Sequence, residues 1–361
     1  MRRLLVPPPR ALAFVLAAGL VLVACDSSSS DLTDGPPDDD ACSIPANQFA
    51  SGGVAKDGIP ALTDPEMTTS NEQGSTYLDD DSRIIGLVVD GQAYALPHNI
   101  LWWHEIANLN LPGLQVAVTY CPLTGSSLTF DRAVADGAEF GVSGLLFQNN
   151  LTMYDRRSSE SLWPQMNRAS GCGTADGTVL PMVASMEMTW QAWQTLHPAT
   201  KVISSRTGVY AASRYQSYPY GDYEVEHNDE LLFPMAIDGR RPPKERVLGI
   251  PLDGGRSYPF GLLDASEAPV QAVMDEVGGR PITVFWDRTA RAAMAYYADA
   301  RTFRVEGNQV IDTETGSTWR IDGLATAGPQ AGTTLEPVAE AYVAFWFAWA
   351  AFHPETELWE G

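Results

Sequence analysis

Along residues 84–91 the chain reads I-I-G-L-V-V-D-G, and along 247–254 it reads V-L-G-I-P-L-D-G. Each is an apolar alternation closed by Asp-Gly, the pattern of a strand entering a tight hairpin. A short second strand follows each turn and runs to a proline, Pro97 or Pro259. A helix-like segment comes next, then a further apolar strand, at 114–120 in the first stretch and 281–286 in the second. Later, Met186, Trp190, Trp193 and His197 recur at helical spacing, as do Val338, Tyr342, Phe345, Trp349 and Phe352. These aromatic stripes predict helices that bury one face as core. His-Pro stops each of them, because proline offers no N–H and clashes with the preceding turn.

The two stretches are collinear. Residues 161–163 (S-L-W) answer 317–319 (S-T-W), and 189–193 (T-W-Q-A-W) answer 345–349 (F-W-F-A-W). His197-Pro198-Ala199-Thr200 answers His353-Pro354-Glu355-Thr356. Trp163, Trp190 and His197 each have a counterpart 156 residues on, whereas the hairpins stand 163 apart, so the second copy is the shorter. A period this long predicts a duplicated domain rather than a solenoid. The expected fold is α+β, mainly antiparallel β, in two tandem homologous repeats, each of several short strands with two helices. The first repeat is placed at 46–207 and the second at 247–361. The linker between them, 208–246, carries Tyr215, Tyr218, Tyr220 and Tyr223. It reads either as the wall of a ligand cleft or as a crossover packing one repeat on the other, and packing is the expectation.

Duplicated domains often keep a scaffold twice and chemistry once, so the differences between copies direct the search for a site. The first copy has Tyr120-Cys121-Pro122 where the second has Trp286-Asp287-Arg288. The first copy also has His98 and His104, which the second lacks. Cys121 and His104 suggest a Cys/His pair for thiol chemistry. With His98, Met153 and Met166 added, the set suggests a soft N/S metal site of the kind that suits copper. The opposing reading makes Cys121 a small buried hydrophobe and His104 a satisfied helix residue. No C-x-x-C, H-E-x-x-H or zinc-ribbon pattern is present. A second candidate is a cleft lined by Asp155, Arg156, Trp163 and Gln165. Ser126 and Ser143 lie near glycines, but no G-x-S-x-G elbow surrounds either, which puts a hydrolase well behind.

The run V-T-Y-C-P-L-T-G-S-S-L-T-F-D-R, followed by G-V-S-G-L-L, L-T-M-Y-D-R and S-L-W-P-Q, resembles the bacterial family called domain of unknown function 3179. The late F-W-F-A-W-A-A-F-H-P-E-T is similar to it as well, and the likeness spans nearly all of residues 55–361. The resemblance implies a shared fold and brings no reaction with it. It also implies that many relatives carry a second cysteine three residues after the first, where this chain has Thr124. A dithiol cycle is therefore not expected here.

Charge and the N-terminus set the compartment. Arg2, Arg3 and Arg10 precede an uncharged apolar run at 11–24, too short for a comfortable membrane span and of signal-peptide length. It ends in Leu22-Val23-Ala24-Cys25, a lipobox, so residues 1–25 read as a lipoprotein signal with Cys25 the lipidated residue. A Ser/Asp/Pro tether at 26–45 follows and cannot bury a core. The formal charge is −22; loss of the three arginines takes 23 basic residues to 20 against 45 acidic, or −25. Nucleic acid and anionic lipid surfaces are poor partners for such a body. Of the remaining cysteines, Cys42 and Cys172 are the expected disulfide, leaving Cys121 free. The expectation is an envelope lipoprotein, held to a membrane through Cys25 on the extracytoplasmic face, with a Cys-centred metal or thiol site. The alternative is a non-catalytic envelope binding module for a small molecule, glycan or protein.

Overall fold

The computed structural model describes residues 42–266 and 268–361. Cys25, the leader and most of the tether lie outside them. The described chain is mainly antiparallel β with four short helices, α1 (His98–His104), α2 (Trp190–Leu196), α3 (Phe260–Leu263) and α4 (Trp346–Phe352). This is the fold class the alternating pattern predicts.

Each half is built around its hairpin. In the first, Arg83–Val89 pairs antiparallel with Gln92–Pro97. Met186–Thr189 adds antiparallel on one side and Lys201–Ile203 parallel on the other. In the second, Arg246–Ile250 pairs with Arg256–Pro259, flanked by Tyr342–Phe345 antiparallel and Glu357–Leu358 parallel. The flanking strand runs directly into α2 or α4, and a short turn returns the chain to the parallel strand. Trp193 lies on Gly86 and Trp349 on Gly249: a Cβ at either glycine would come 2.3 or 2.2 Å from the ring above it. Each indole N–H donates to a threonine hydroxyl beyond the helix, Trp193 to Thr200 at 2.8 Å and Trp349 to Thr356 at 2.9 Å.

Three-stranded antiparallel ladders follow the hairpins: Ile106–Leu111, Leu114–Cys121 and Ser126–Asp131 in the first half, and Val270–Val277, Arg280–Asp287 and Ala292–Tyr297 in the second. A second meander follows each, and in it a buried Trp indole donates to an aspartate, Trp163 to Asp155 at 2.7 Å and Trp319 to Asp312 at 2.8 Å.

The halves share their sheets and cores. Tyr342–Phe345 pairs not only with its own hairpin but with Ser126–Asp131, through Val343 and Ser127. One eight-stranded sheet therefore passes through both halves. In the opposite direction, the Thr189 N–H donates to Ala290 O. The core around Cys121, Met153 and Trp163 accordingly includes Trp346, Phe347 and Trp349. The core around Trp190 and Trp193 includes Phe285, Met294 and Trp319. Each aromatic helix packs against strands of the other half.

The aromatic stripes are shorter as helices than their spacing predicts. Met186 and Tyr342 stand on strands, and α2 and α4 begin only at Trp190 and Trp346. A step of four residues returns to one face in a strand as well as in a helix, so spacing alone does not separate the two. In the linker, Tyr215 and Tyr223 are buried as packing residues, while Tyr210, Tyr218 and Tyr220 are only partly covered.

Gly86→Ala and Gly249→Ala are expected to force these rings off the hairpins and to destabilise by about 1–3 kcal/mol each. Urea melts of the two variants measure this; wild-type midpoints in both would show that the rings do not depend on the bare glycines.

Candidate functional site

Cys121 ends the strand Leu114–Cys121 and is 1% exposed, in the core with Met153, Met166 and Phe345. The Leu151 N–H donates to its sulfur at 3.4 Å. Burial, and next the nearby Glu105 carboxyl, push the thiol up to about 11. The sulfur is a protonated thiol at neutral pH, and a thiol is neither a strong nucleophile nor a metal ligand until it ionises. Cys42 and Cys172 form the expected disulfide, and among the described residues Cys121 is the free cysteine.

His104 does not join it. Its Nδ1 lies 2.7 Å from Pro60 O and its Nε2 2.8 Å from the Tyr215 hydroxyl, so both ring nitrogens are engaged elsewhere. His98 stacks on Tyr120, ring centroids 4.0 Å apart. Tyr120 and Cys121 are consecutive on one strand and face different cores, which separates His98 from the sulfur. Only Met153 and Met166 share the core of Cys121. One reluctant thiol and two thioethers, with no imidazole, do not make the expected copper site. Among the described residues no cluster of three His, Cys, Asp or Glu is placed to hold a metal ion. Thr124, where the family resemblance implies a second cysteine, accepts from Asn150 Nδ2 at 2.9 Å and bonds Ser126 at 2.8 Å.

Asp155, Arg156, Trp163 and Gln165 do not line one cleft. Asp155 and Trp163 satisfy each other in the core, and Arg157, not Arg156, pairs with Asp155 at 2.8 Å. Arg156 is on the surface, bonded to Asp57 at 2.6 Å. The buried Gln165 accepts from Ser126 at 2.6 Å and donates to Thr119 at 2.7 Å. The repetition of the Trp–Asp bond at Trp319 and Asp312 marks it as scaffold.

A different group of residues concentrates unpaired polarity. Arg83 and Arg246 enter from the starts of the two hairpins and converge on Glu187, at 2.5 and 3.7 Å. Ser127 donates to the same carboxylate at 2.5 Å, and His98 Nε2 stands 3.6 Å from it. Burial alone would raise the Glu187 carboxyl, but the Arg83 and Arg246 guanidiniums outweigh it and bring it down to about 2. Burial holds His98 at about 3, a neutral imidazole. Neither His98 nitrogen has a hydrogen-bond partner, nor do the buried Tyr120 and Tyr218 hydroxyls, the Trp102 indole N–H, or Nη1 of either arginine. The rings connect: Trp102 meets Tyr218 edge-on at 5.1 Å, and Glu224 lies 3.7 Å from Arg246. Native proteins leave few buried polar groups unpaired, because each costs about 1–3 kcal/mol. Glu105, at the end of α1, has φ 56°, and burial raises its carboxyl to about 8. A strained, buried carboxyl bordering both Cys121 and Tyr220 is unusual for a purely structural residue.

The corresponding ladder positions of the second half are apolar. Phe260 packs on Trp286 at 4.7 Å where His98 packs on Tyr120. Ala293 pairs with Trp286 as Ser127 pairs with Tyr120. Val343 follows Tyr342 as Glu187 follows Met186. One frame thus carries a polar cluster in the first half and a mostly apolar core in the second, where the Trp286 indole N–H is the counterpart left unpartnered. Of the chamber, only His98 is among the candidates that sequence reading selects. Arg83 and Arg246 match each other one residue before the aligned strands, and Glu187 stands against Val343. Both signals were open to a position-by-position comparison of the copies.

A mainly antiparallel β frame enclosing such a chamber defines the class, and the comparisons supply the family. Across residues 56–356 the chain matches the family model described as protein of unknown function DUF3179, and it belongs to that family. No curated protein and no solved structure matches it.

Two outcomes are expected. Native Cys121 resists iodoacetamide at pH 8 and reacts in urea; rapid native alkylation would contradict the burial described above. For His98 the folded value lies below the ordinary 6.5, so the unfolded chain binds a proton first as pH falls. Its contribution is complete above pH 6.5 and is lost toward pH 3, at up to about 1.4 kcal/mol per unit. His98→Phe should flatten that acid limb in urea melts between pH 7 and 4, and an unchanged limb would exclude a buried neutral imidazole.

Proposed function

We propose that this chain is an exported, lipid-anchored binding protein of the cell envelope, whose first half holds a small polar, hydroxyl-bearing molecule in the chamber around His98. The carrying observation is the cluster of buried, unpartnered polar groups at positions where the second half has Phe260, Ala293 and Val343, and only the Trp286 N–H is polar. Hydroxyl groups, which donate and accept, suit a mixture of arginine N–H donors, phenols, a neutral imidazole and carboxylates. The partly covered Trp102, Trp103, Tyr218 and Tyr220 form an aromatic rim, a surface that suits the apolar face of a sugar ring.

Tandem duplication is part of the proposal, with copies at 46–207 and 247–361 joined by 208–246. The matching hairpin registers, the two Trp–Gly contacts and the two Trp–Asp bonds support it. The lipid anchor at Cys25 rests on the Arg-led apolar leader and its Leu-Val-Ala-Cys ending. The Cys42–Cys172 disulfide is what an oxidising, extracytoplasmic compartment allows. The strong negative charge suits neither nucleic acid nor an anionic membrane surface.

A second reading, a thiol centre at Cys121, is favoured by one observation: Glu105, with a carboxyl near 8, borders the sulfur. In that reading Glu105, protonated while buried, gives its proton to water when the site opens, and its carboxylate, not the His104 imidazole, then takes the thiol proton.

Thermal shift with a panel of mono- and disaccharides tests the binding proposal. A cognate sugar at a hundredfold excess over its Kd stabilises by about 2.7 kcal/mol. The stabilisation is expected to survive Cys121→Ala and to vanish in Tyr120→Phe/Tyr218→Phe. A response to no sugar, together with only ordered waters on His98 and Tyr120 in a high-resolution crystal structure, would overturn it; dependence on Cys121 would favour the thiol centre. Cys25→Ser should release the protein from the membrane fraction, and retention there would exclude the lipid anchor.

A further inference from the structure

A second site lies away from the chamber, between α2 and the strands of the other half. A cavity of about 450 Å³ opens there, walled by Met186, Trp193, Met294, Tyr296 and Leu335. His197, Arg320 and Asp322 stand at its polar end. His197 Nε2 is buried without a hydrogen-bond partner and lies 3.9 Å from Asp322 Oδ2. Arg320 holds the Asp322 carboxylate in place through a bidentate pair. Burial keeps the His197 imidazole below its ordinary value despite Asp322, so the ring is neutral and carries one N–H. The gap between the two groups is too long for a direct bond, and an oxygen set to one side of the line joining them stands about 2.8 Å from both.

The second half shows what fills the corresponding place. Tyr342 pairs with Gly249 on its hairpin as Met186 pairs with Gly86. Trp349 covers that glycine as Trp193 covers Gly86, and His353 follows α4 as His197 follows α2. There the Tyr342 ring packs edge-on against Trp349 at 5.3 Å, and its hydroxyl bonds His353 Nε2 at 3.0 Å. The chain thus supplies a phenol to one histidine. At the other, Met186 stands where the tyrosine would be, the imidazole nitrogen is unpaired, and a cavity remains.

We propose that this cavity binds a phenol from solution, an aromatic ring bearing a free hydroxyl. The ring lies against Trp193. The hydroxyl accepts the His197 Nε2–H and donates to Asp322. No covalent step is involved. The walls take an unsubstituted or alkyl-substituted ring, and the volume lies in the range of small-molecule sites. A ring without the hydroxyl leaves the imidazole N–H and the carboxylate unpaired, the condition under which a polar site rejects an apolar analogue.

The test uses the full chain and 4-methylphenol, the tyrosine side chain as a free molecule, titrated by calorimetry. The expected result is one saturable site, at least about tenfold tighter than toluene, the scale of one lost hydrogen bond to a buried group. Met186→Tyr, which places the second half's own residue in the cavity, should abolish binding without lowering Tm. His197→Phe should erase the preference for 4-methylphenol over toluene, and Tyr120→Phe, in the chamber, should leave it unchanged. Equal affinity for the two compounds, or binding retained in Met186→Tyr, overturns the proposal. Should Met186→Tyr fail to fold, Tyr342→Ala provides the converse: it opens the matching site, and 4-methylphenol should restore the lost Tm where toluene does not. Absence of that rescue, or equal rescue by toluene, likewise overturns it.

Discussion

The strand Tyr342–Phe345 lies between Arg246–Ile250 and Ser126–Asp131 and hydrogen-bonds to both. Its position ties the two halves into one sheet, and α4, which follows without a break, lands in the core around Cys121. The Phe345 ring covers Gly125, where a Cβ would stand 2.6 Å from it. The reverse crossing, from Thr189 to Ala290, sends α2 into the second half. Each half has one core of its own, and each also sends its most aromatic helix into a core shared with the other. Apolar burial is the main favourable term in folding, so the halves stand or fall together.

The same crossing creates the polar chamber. Strands meeting between the halves bring the first residues of both hairpins, Arg83 and Arg246, onto the single carboxylate of Glu187. Buried charges are tolerated when paired and hydrogen-bonded, and Glu187 is both. The groups around it are not: His98 and Tyr218 hold polar atoms with no hydrogen-bond partner, and the Tyr120 hydroxyl has only the Arg246 guanidinium beside it. A scaffold able to fill these positions with Phe260, Trp286, Ala293 and Val343 has no need of them for packing. Their polarity is accordingly read as recognition rather than architecture.

The polar cluster and the cavity at His197 differ in opposite ways between the halves. Around Glu187 the first half carries His98 and Ser127 where the second carries Phe260 and Ala293. At the ends of the aromatic helices the second half closed a site with Tyr342, and the first left it open at Met186. Tyrosine and methionine have comparable reach, and only tyrosine carries a hydroxyl for the histidine. One side chain therefore decides between a packed core and a vacant pocket.

The sequence by itself determined the hairpins, the antiparallel character and the His-Pro ends of the aromatic helices, because these follow from local alternation and turn chemistry; of the three pairings open to Cys42, Cys121 and Cys172 it favoured Cys42 with Cys172, and the structure made the choice. It also marked the first half as the place to look. It did not separate strand from helix at Met186 and Tyr342, where a four-residue step serves both. Only the tertiary structure decided that His104 bonds Pro60 and Tyr215 rather than Cys121, that Asp155 and Trp163 are scaffold, and that Arg83, Glu187 and Arg246 meet. Arg83 and Arg246 are 163 residues apart in sequence, and they converge on Glu187 where a strand of one half lies beside a strand of the other. Pairing between distant strands is a property of the assembled sheet, and no local pattern encodes it.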